Sequence, residues 1–180
     1  MRIALIFSST EGQTRKIMQF AQKALMDEGH QTALVSADAA RGMNLAPYDA
    51  AVLAGSLHAG RYQAALQGFA TDNWPALNGI PTLFLSVSLA AAGDAHEDWA
   101  DLGAITDKFA LDTAWTPSRI EHVAGAFRYE HYGFVKYWAL RWIEAKKDPD
   151  AIPGEDKEYT DWSKLESVIK DWTTGIEAGR

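Results

Sequence analysis

Ser9, Thr10 and Thr14 surround a single glycine in the stretch Ser9-Thr10-Glu11-Gly12-Gln13-Thr14, and Ile17, Phe20, Ala21, Ala24 and Leu25 follow at helical spacing. Three hydroxyls, a glycine that lets backbone approach closely, and a helix amino terminus whose first amides lack internal acceptors together suit a phosphate dianion without any cation. The second glycine of the dinucleotide fingerprint and the Gly-Lys-Ser/Thr end of the nucleotide-triphosphate loop are both missing, so the better match is a monophosphate. The same composition also serves as an ordinary helix cap. Other chemistries find less support. His30, His58, His96, His122 and His131 are scattered without ligand spacing, no Gly-x-Ser-x-Gly elbow occurs, and the chain has no cysteine. No metal site and no covalent nucleophile are assigned.

The elements that must position this loop follow from the hydrophobic pattern. Residues 2–8 form a short apolar run, strand before loop and helix; Gly29 stops the helix, and residues 31–36 alternate into a second strand. Further strands are expected at 50–55, 81–88 and 120–127, apolar without strict alternation, as strands buried on both faces are. Helices are expected at 63–72, around Trp99, Leu102, Ile105 and Phe109, and around Trp162, Leu165, Ile169 and Trp172. Strands alternating with helix-sized segments require a parallel sheet covered on both faces, because each crossover needs a helix to return the chain. The expectation is an α/β protein of five strands and about five helices in one domain spanning 1–180. Residues 129–158 break the repeating unit and read as an insertion before the last helix, with a short helix at 134–146. Ligands of such sheets bind beyond the carboxyl ends of the strands, which is where residues 9–14 fall.

Composition bounds the partners. With 17 Lys and Arg against 24 Asp and Glu, the net charge is −7, the wrong sign for holding a phosphate backbone, so no nucleic acid is expected. Residues 1–7 reach Ser8 too soon for a secretory core, and no apolar run approaches a membrane span. A cytoplasmic location is the expectation. The insertion is the exception to the acidic balance: Phe134, Trp138 and Trp142 recur every four residues, flanked by Arg128, Lys136, Arg141, Lys146 and Lys147. Such a stripe either packs on the sheet or lies at a membrane surface.

The loop at 9–14 resembles the flavodoxin phosphate loop, whose ligand is the terminal phosphate of FMN. The resemblance implies a flavodoxin-like three-layer α/β/α sandwich with a five-stranded parallel sheet in the order 2-1-3-4-5. Two further loops of that family hold the isoalloxazine ring, and they match Gly55-Ser56-Leu57-His58-Ala59-Gly60-Arg61-Tyr62 and Ser86-Val87-Ser88-Leu89-Ala90-Ala91-Ala92-Gly93. Additional landmarks are Phe7-Ser8-Ser9, residues 11–15, Tyr48-Asp49, Phe84-Leu85-Ser86-Val87, Lys108-Phe109, Trp115-Thr116-Pro117, residues 124–129 and Tyr159-Thr160-Asp161-Trp162. These resemble one branch of the superfamily, the bacterial FMN-dependent, quinone-linked protoporphyrinogen IX dehydrogenases, over nearly the whole chain.

What the resemblance implies is an FMN-dependent oxidation of protoporphyrinogen IX, with electrons passed to a quinone, in heme biosynthesis. The implied cofactor residues are Ser9, Thr10, Glu11, Gly12, Gln13 and Thr14 at the phosphate, then Ser56, Leu57, His58, Gly60 and Tyr62, with Ser86, Val87, Ser88, Leu89 and Gly93 around the ring. Leu57, His58 and Tyr62 would lie against or beside the flavin, while Gly55, Gly60 and Gly93 would admit it close to the backbone. A quinone dissolved in the bilayer implies peripheral contact through 129–147 at the cytoplasmic face of the inner membrane. Asp94, Glu97, Asp98 and Asp101 depart from the branch, whose members tend to be basic there, and would repel a substrate bearing propionates unless Arg61, Arg128 or Arg141 compensates. The alternatives therefore stay open: another small reduced donor to an FMN-dependent quinone reductase, a flavodoxin-like electron-transfer protein, or a flavin-free interaction domain. The oligomeric state is not legible.

Overall fold

The computed structural model describes residues 1–93, 95–127 and 156–179. The chain runs β1 (Arg2–Ser8), α1 (Gln13–Asp27), β2 (Gln31–Ser36), β3 (Ala50–Ser56), α2 (Ala64–Asn78), β4 (Thr82–Ser88), a 3₁₀ turn (Ala90–Ala92), α3 (His96–Thr113), β5 (Arg119–Ala124), β6 (Ala126–Phe127), β7 (Lys157–Glu158) and α4 (Trp162–Ala178). The first five strands form one sheet in the order β2-β1-β3-β4-β5, every neighbour parallel. This is the α/β flavodoxin-like order expected above.

Each central strand is buried on both faces and largely apolar because alternate residues enter different cores. Ile3, Leu5 and Phe7 of β1 pack with Ile17, Met18 and Leu25 of α1 and Leu165, Ile169 and Trp172 of α4. Ala4 and Ile6 face the other way, into the layer of Leu66, Phe69 and Leu77 of α2 and Phe109 of α3, joined by Phe84 and Trp115. Two buried faces remove any reason for polar alternation.

Two boundaries differ from expectation. α2 does not stop at Asp72 but continues to Asn78 with Pro75 inside it. Leu77, fully buried one further turn along, holds the last turns on the sheet, so tertiary packing prevails over the proline signal. The fifth strand ends at Ala124 instead of running to Phe127. Gly125 is drawn under β4, its N–H donating to Ser88 O at 2.9 Å, and a side chain there would crowd Val87 Cγ1 at 3.3 Å. The chain then leaves the sheet edge, and β6 pairs antiparallel with β7 in a small ribbon. The insertion helix expected at 134–146, the aromatic stripe and the basic residues around it lie outside the described residues, as does Asp94. Among the described residues no helix is long and apolar enough to cross a membrane.

Candidate functional site

The loop between β1 and α1 sits at the carboxyl edge of the sheet. Gly12 adopts φ +90°, a left-handed conformation that costs any other residue about 1–2 kcal/mol, and its N–H donates to Ser9 Oγ at 3.0 Å. The resulting turn aims α1 outward from the sheet. Lys16 N–H, bonded to Gly12 O at 3.0 Å, makes the first bond of the helix ladder, so the amides of Gln13, Thr14 and Arg15 fall in the turn that has no intrahelical acceptor. No side chain caps this end and no acid lies in the first turn. The positive end of the helix dipole is left open.

Inside that turn two buried side chains carry polar atoms with no partner, Thr14 Oγ1 and Gln13 Oε1. A third orphan, Gln63 Oε1, lies apart from them near Gly55, 3.5 Å from where a Cβ there would sit. Gln63 precedes α2, and its Nε2 donates both to Thr10 Oγ1 at 3.1 Å and to Ser56 Oγ. One carboxamide thus ties the first loop to the second. Buried polar atoms left unpaired cost about 1–3 kcal/mol each, so the Thr14 hydroxyl and the open amides around it suit a ligand that accepts hydrogen bonds. A phosphate supplies what this turn lacks: acceptors for idle amides and a hydroxyl, and negative charge at the dipole's positive end.

The second loop projects from β3 as a tight hairpin. His58 and Arg61 exchange both backbone hydrogen bonds, at 2.9 and 3.0 Å, around Ala59 and Gly60 with φ of 48° and 75°. His58, Gly60 and Arg61 are exposed at its tip, and Leu57 is half-buried at its root, with its N–H donating to Val87 O at 2.8 Å. The third loop is held by its own bonds. Ser88 Oγ accepts from Ala91 N–H at 3.2 Å, Gly93 N–H donates to Ala90 O, and Trp99 Nε1 donates to Gly93 O at 2.7 Å. Glu97 and Asp98 occupy the first turn of α3, where the dipole favours them.

These three loops share one edge of a β2-β1-β3-β4-β5 sheet, and the matched family spans that architecture: residues 4–150 fit the flavodoxin domain. The chain belongs to the flavodoxin domain family. Among relatives, it is 26% identical over 171 residues to the protoporphyrinogen IX dehydrogenase [quinone] of Escherichia coli K12, covering 95% of this chain and 94% of that one. It is 25% identical over 169 residues to the protein of the same name from Leishmania major, covering 93% and 73%. Among solved structures, a Streptococcus pneumonia TIGR4 flavodoxin superposes with a TM-score of 0.61 at 13% identity, covering 97% of this chain and 99% of that one. Flavodoxin 2 of Bacillus cereus follows at 0.59 and 14%, with the same coverage. By this kinship the chain is a flavin-type oxidoreductase.

Within the flavodoxin frame, the residues singled out from sequence separate into two groups. Ser9, Thr10, Glu11, Gly12, Ser56, Leu57, His58, Gly60 and Leu89 lie at or near the surface around the loops, and Gln13 and Thr14 lie just beneath the first. Tyr62, Ser86, Val87, Ser88 and Gly93 are buried. Tyr62, 8% exposed, packs its ring 5.1 Å from Phe84 and 4.8 Å from Phe109, and shares a 2.7 Å hydrogen bond with Ser86 Oγ. Burial pushes its hydroxyl up to about 12, against the smaller downward pull of Ser86, so it stays protonated and moves no proton at neutral pH. Tyr62 supports the hindmost part of the second loop from below rather than lying beside it. At Gly55 the space a side chain would need is likewise filled from within the protein, by Leu66 Cδ2 at 2.5 Å and Tyr62 Cδ1 at 3.1 Å. That glycine admits α2, not a ligand.

Two contributors were not singled out as site residues. Gln63 carries no local signal beyond preceding a helix. Thr160 belongs to a quoted landmark, and only the fold brings it to Gln13, whose Nε2 donates to its Oγ1 at 2.9 Å across 147 residues. His122 is half-buried and lines a pocket beside the third loop with Gly93 and Trp99: its ring meets Trp99 edge-on at 5.7 Å, its Nδ1 has no partner, and burial draws its titration down, opposed by Glu121 and aided by Lys164.

Proposed function

We propose that this chain binds FMN and uses it to oxidise protoporphyrinogen IX, passing electrons to a quinone. The observation that carries the cofactor is the open first turn of α1, with the unpartnered Thr14 hydroxyl beneath idle amides. Gln13, Thr14 and Arg15 would offer backbone N–H groups to the phosphate, with Ser9, Thr10, Glu11 and Gly12 shaping the turn over it. The second and third loops would flank the ring: Ser56, Leu57, His58 and Gly60 on one side, Ser88, Leu89 and Gly93 on the other, with Tyr62, Ser86 and Val87 as their floor. When bound, FMN supplies the hydride and electron chemistry. The chain would orient it, with His58 at the exposed tip of the second loop placed to exchange a proton with substrate.

The donor and acceptor rest on kinship with the dehydrogenases named above. In this reading the protein is cytoplasmic, and quinone is met at the inner face of the membrane through 129–147. One observation favours a second reading, a quinone reductase or electron carrier with a different donor. Glu97 and Asp101 stand exposed at the start of α3, beside the third loop, and a tetrapyrrole bearing propionates would meet like charge there.

Anaerobic mixing of the FMN-loaded protein with protoporphyrinogen IX separates the two. Bleaching of the flavin absorbance, followed by reoxidation on adding a soluble quinone, is expected. A flavin that stays yellow with the tetrapyrrole yet bleaches with a different donor would replace the first reading by the second.

A further inference from the structure

The landmark Tyr159-Thr160-Asp161-Trp162 does four separate things in the fold. Tyr159 N–H donates to Gly125 O at 3.0 Å, Asp161 Oδ1 caps α4 by accepting from Lys164 N–H at 2.9 Å, and Trp162 Nε1 donates to Glu158 Oε1 at 2.8 Å while its ring meets Phe20 of α1 at 5.0 Å. These three residues are structural joints. Thr160 is different because it faces the candidate cofactor loop.

The residue is 9% exposed, and its hydroxyl donates to Ala124 O at 2.7 Å. A hydroxyl has one proton, so with that proton committed to a carbonyl it can only accept from its other neighbour. Gln13 therefore presents its NH₂ group to this hydroxyl, at 2.9 Å, an orientation the Glu158 carboxylate also favours by hydrogen-bonding the same side chain, and its carbonyl oxygen turns away. That oxygen is the unpartnered Gln13 Oε1 at the first turn of α1. Beyond Ala124 the linkage continues, since Gly125 N–H is bonded to Ser88 O and Ser88 Oγ receives Ala91 N–H. Lys16, one turn above, is bound to the same short ribbon through Glu158 at 2.5 Å. The first turn of α1 is thus pinned from the side by residues 124–125 and 157–160.

We propose that Thr160 is a positioning residue for the phosphate end of the cofactor site: its hydroxyl sets the orientation of the Gln13 side chain and holds the first turn of α1 in register with the third loop. This inference rests on the FMN reading. It adds a residue far from the phosphate loop in sequence whose loss is felt at the phosphate and not at the ring.

The test compares FMN with riboflavin, which has the same ring and no phosphate. Affinities of both are measured by flavin fluorescence for the intact chain and for Thr160→Val, Thr160→Ser, Gln13→Met and the Thr160→Val/Gln13→Met double variant. Thr160→Val should lower FMN affinity about tenfold, the effect of losing a buried hydrogen bond with its partner left unpaired, while changing riboflavin affinity far less. Thr160→Ser should restore the preference for FMN. Gln13→Met should reproduce the loss, and the double variant should be no worse than either alone, because the two residues act in series. Gln13→Met also reads the contact from the other side should Thr160→Val fail to fold. An unchanged FMN-to-riboflavin ratio in Gln13→Met and any folded Thr160→Val, or losses that add in the double variant, overturns the positioning role while the FMN reading stands. An intact chain that takes up neither flavin overturns the FMN reading and this role with it.

Discussion

The first and third loops of the sheet edge are opposites in how they use their polar groups. Within the third loop and its floor, Tyr62 is matched with Ser86, Ser88 Oγ with Ala91 N–H, and Gly93 O with the Trp99 indole, and only His122 Nδ1 on the neighbouring strand is left unpartnered among the described pocket residues beside it. Beneath the first loop, Thr14 Oγ1 and Gln13 Oε1 find nothing, and an uncapped helix opens onto them. A loop whose hydrogen bonds are satisfied internally is a wall, held in place with or without a ligand. A loop with unsatisfied buried groups is a seat, less stable empty and stabilised by whatever completes it.

The comparison is sharpest at Tyr62, in the floor of the wall. Its pKa rises from an ordinary value near 10 to about 12 in the fold. Stability from the neutral form is complete below pH 10 and is lost as pH climbs from there toward 12, since only the unfolded chain sheds the proton in that window. A decline of about 2–3 kcal/mol is expected across it. Denaturant melts of the flavin-free protein at about pH 9 and about pH 12 should show it, and Tyr62→Phe should flatten the slope. An equally steep slope in that variant would place the alkaline weakness elsewhere.

The next effect belongs to the seat and should carry opposite signs on two readouts. Thr14→Val removes an unpartnered buried hydroxyl, so the melting temperature of the empty protein should stay the same or rise. The same change should weaken FMN binding by about 1–3 kcal/mol if that hydroxyl meets the phosphate. Lower stability in the empty protein with unaltered FMN affinity would make Thr14 part of a wall too. The smallest effect returns to the third loop: Ser88→Ala releases Ala91 N–H and should lower stability by about 1 kcal/mol in a chemical denaturation curve.

Much of the architecture was legible before any fold was seen. Five apolar strands separated by helix-length segments imply a parallel sheet, and residues 9–14 are legible as a turn into a helix because glycine, hydroxyls and a helix start are local features. The boundaries that misled did so for tertiary reasons. Leu77 anchors α2 past Pro75, and Gly125 is pulled beneath Ser88 so that β5 stops short. Tyr62 was legible as an aromatic residue in a candidate flavin loop, yet nothing local shows that Phe84 and Phe109 wait below it to enclose its ring.

The sequence by itself determined the layered α/β plan and the place of the glycine- and hydroxyl-rich loop at 9–14, since hydrophobic period, glycine and hydroxyl content act over neighbouring residues. Only the tertiary structure decided which polar groups are satisfied and which are idle. Gln63 reaches Thr10 across 53 residues and Gln13 reaches Thr160 across 147. Such bonds exist only once separate strands end side by side on one edge of the sheet, and no spacing along the chain encodes them.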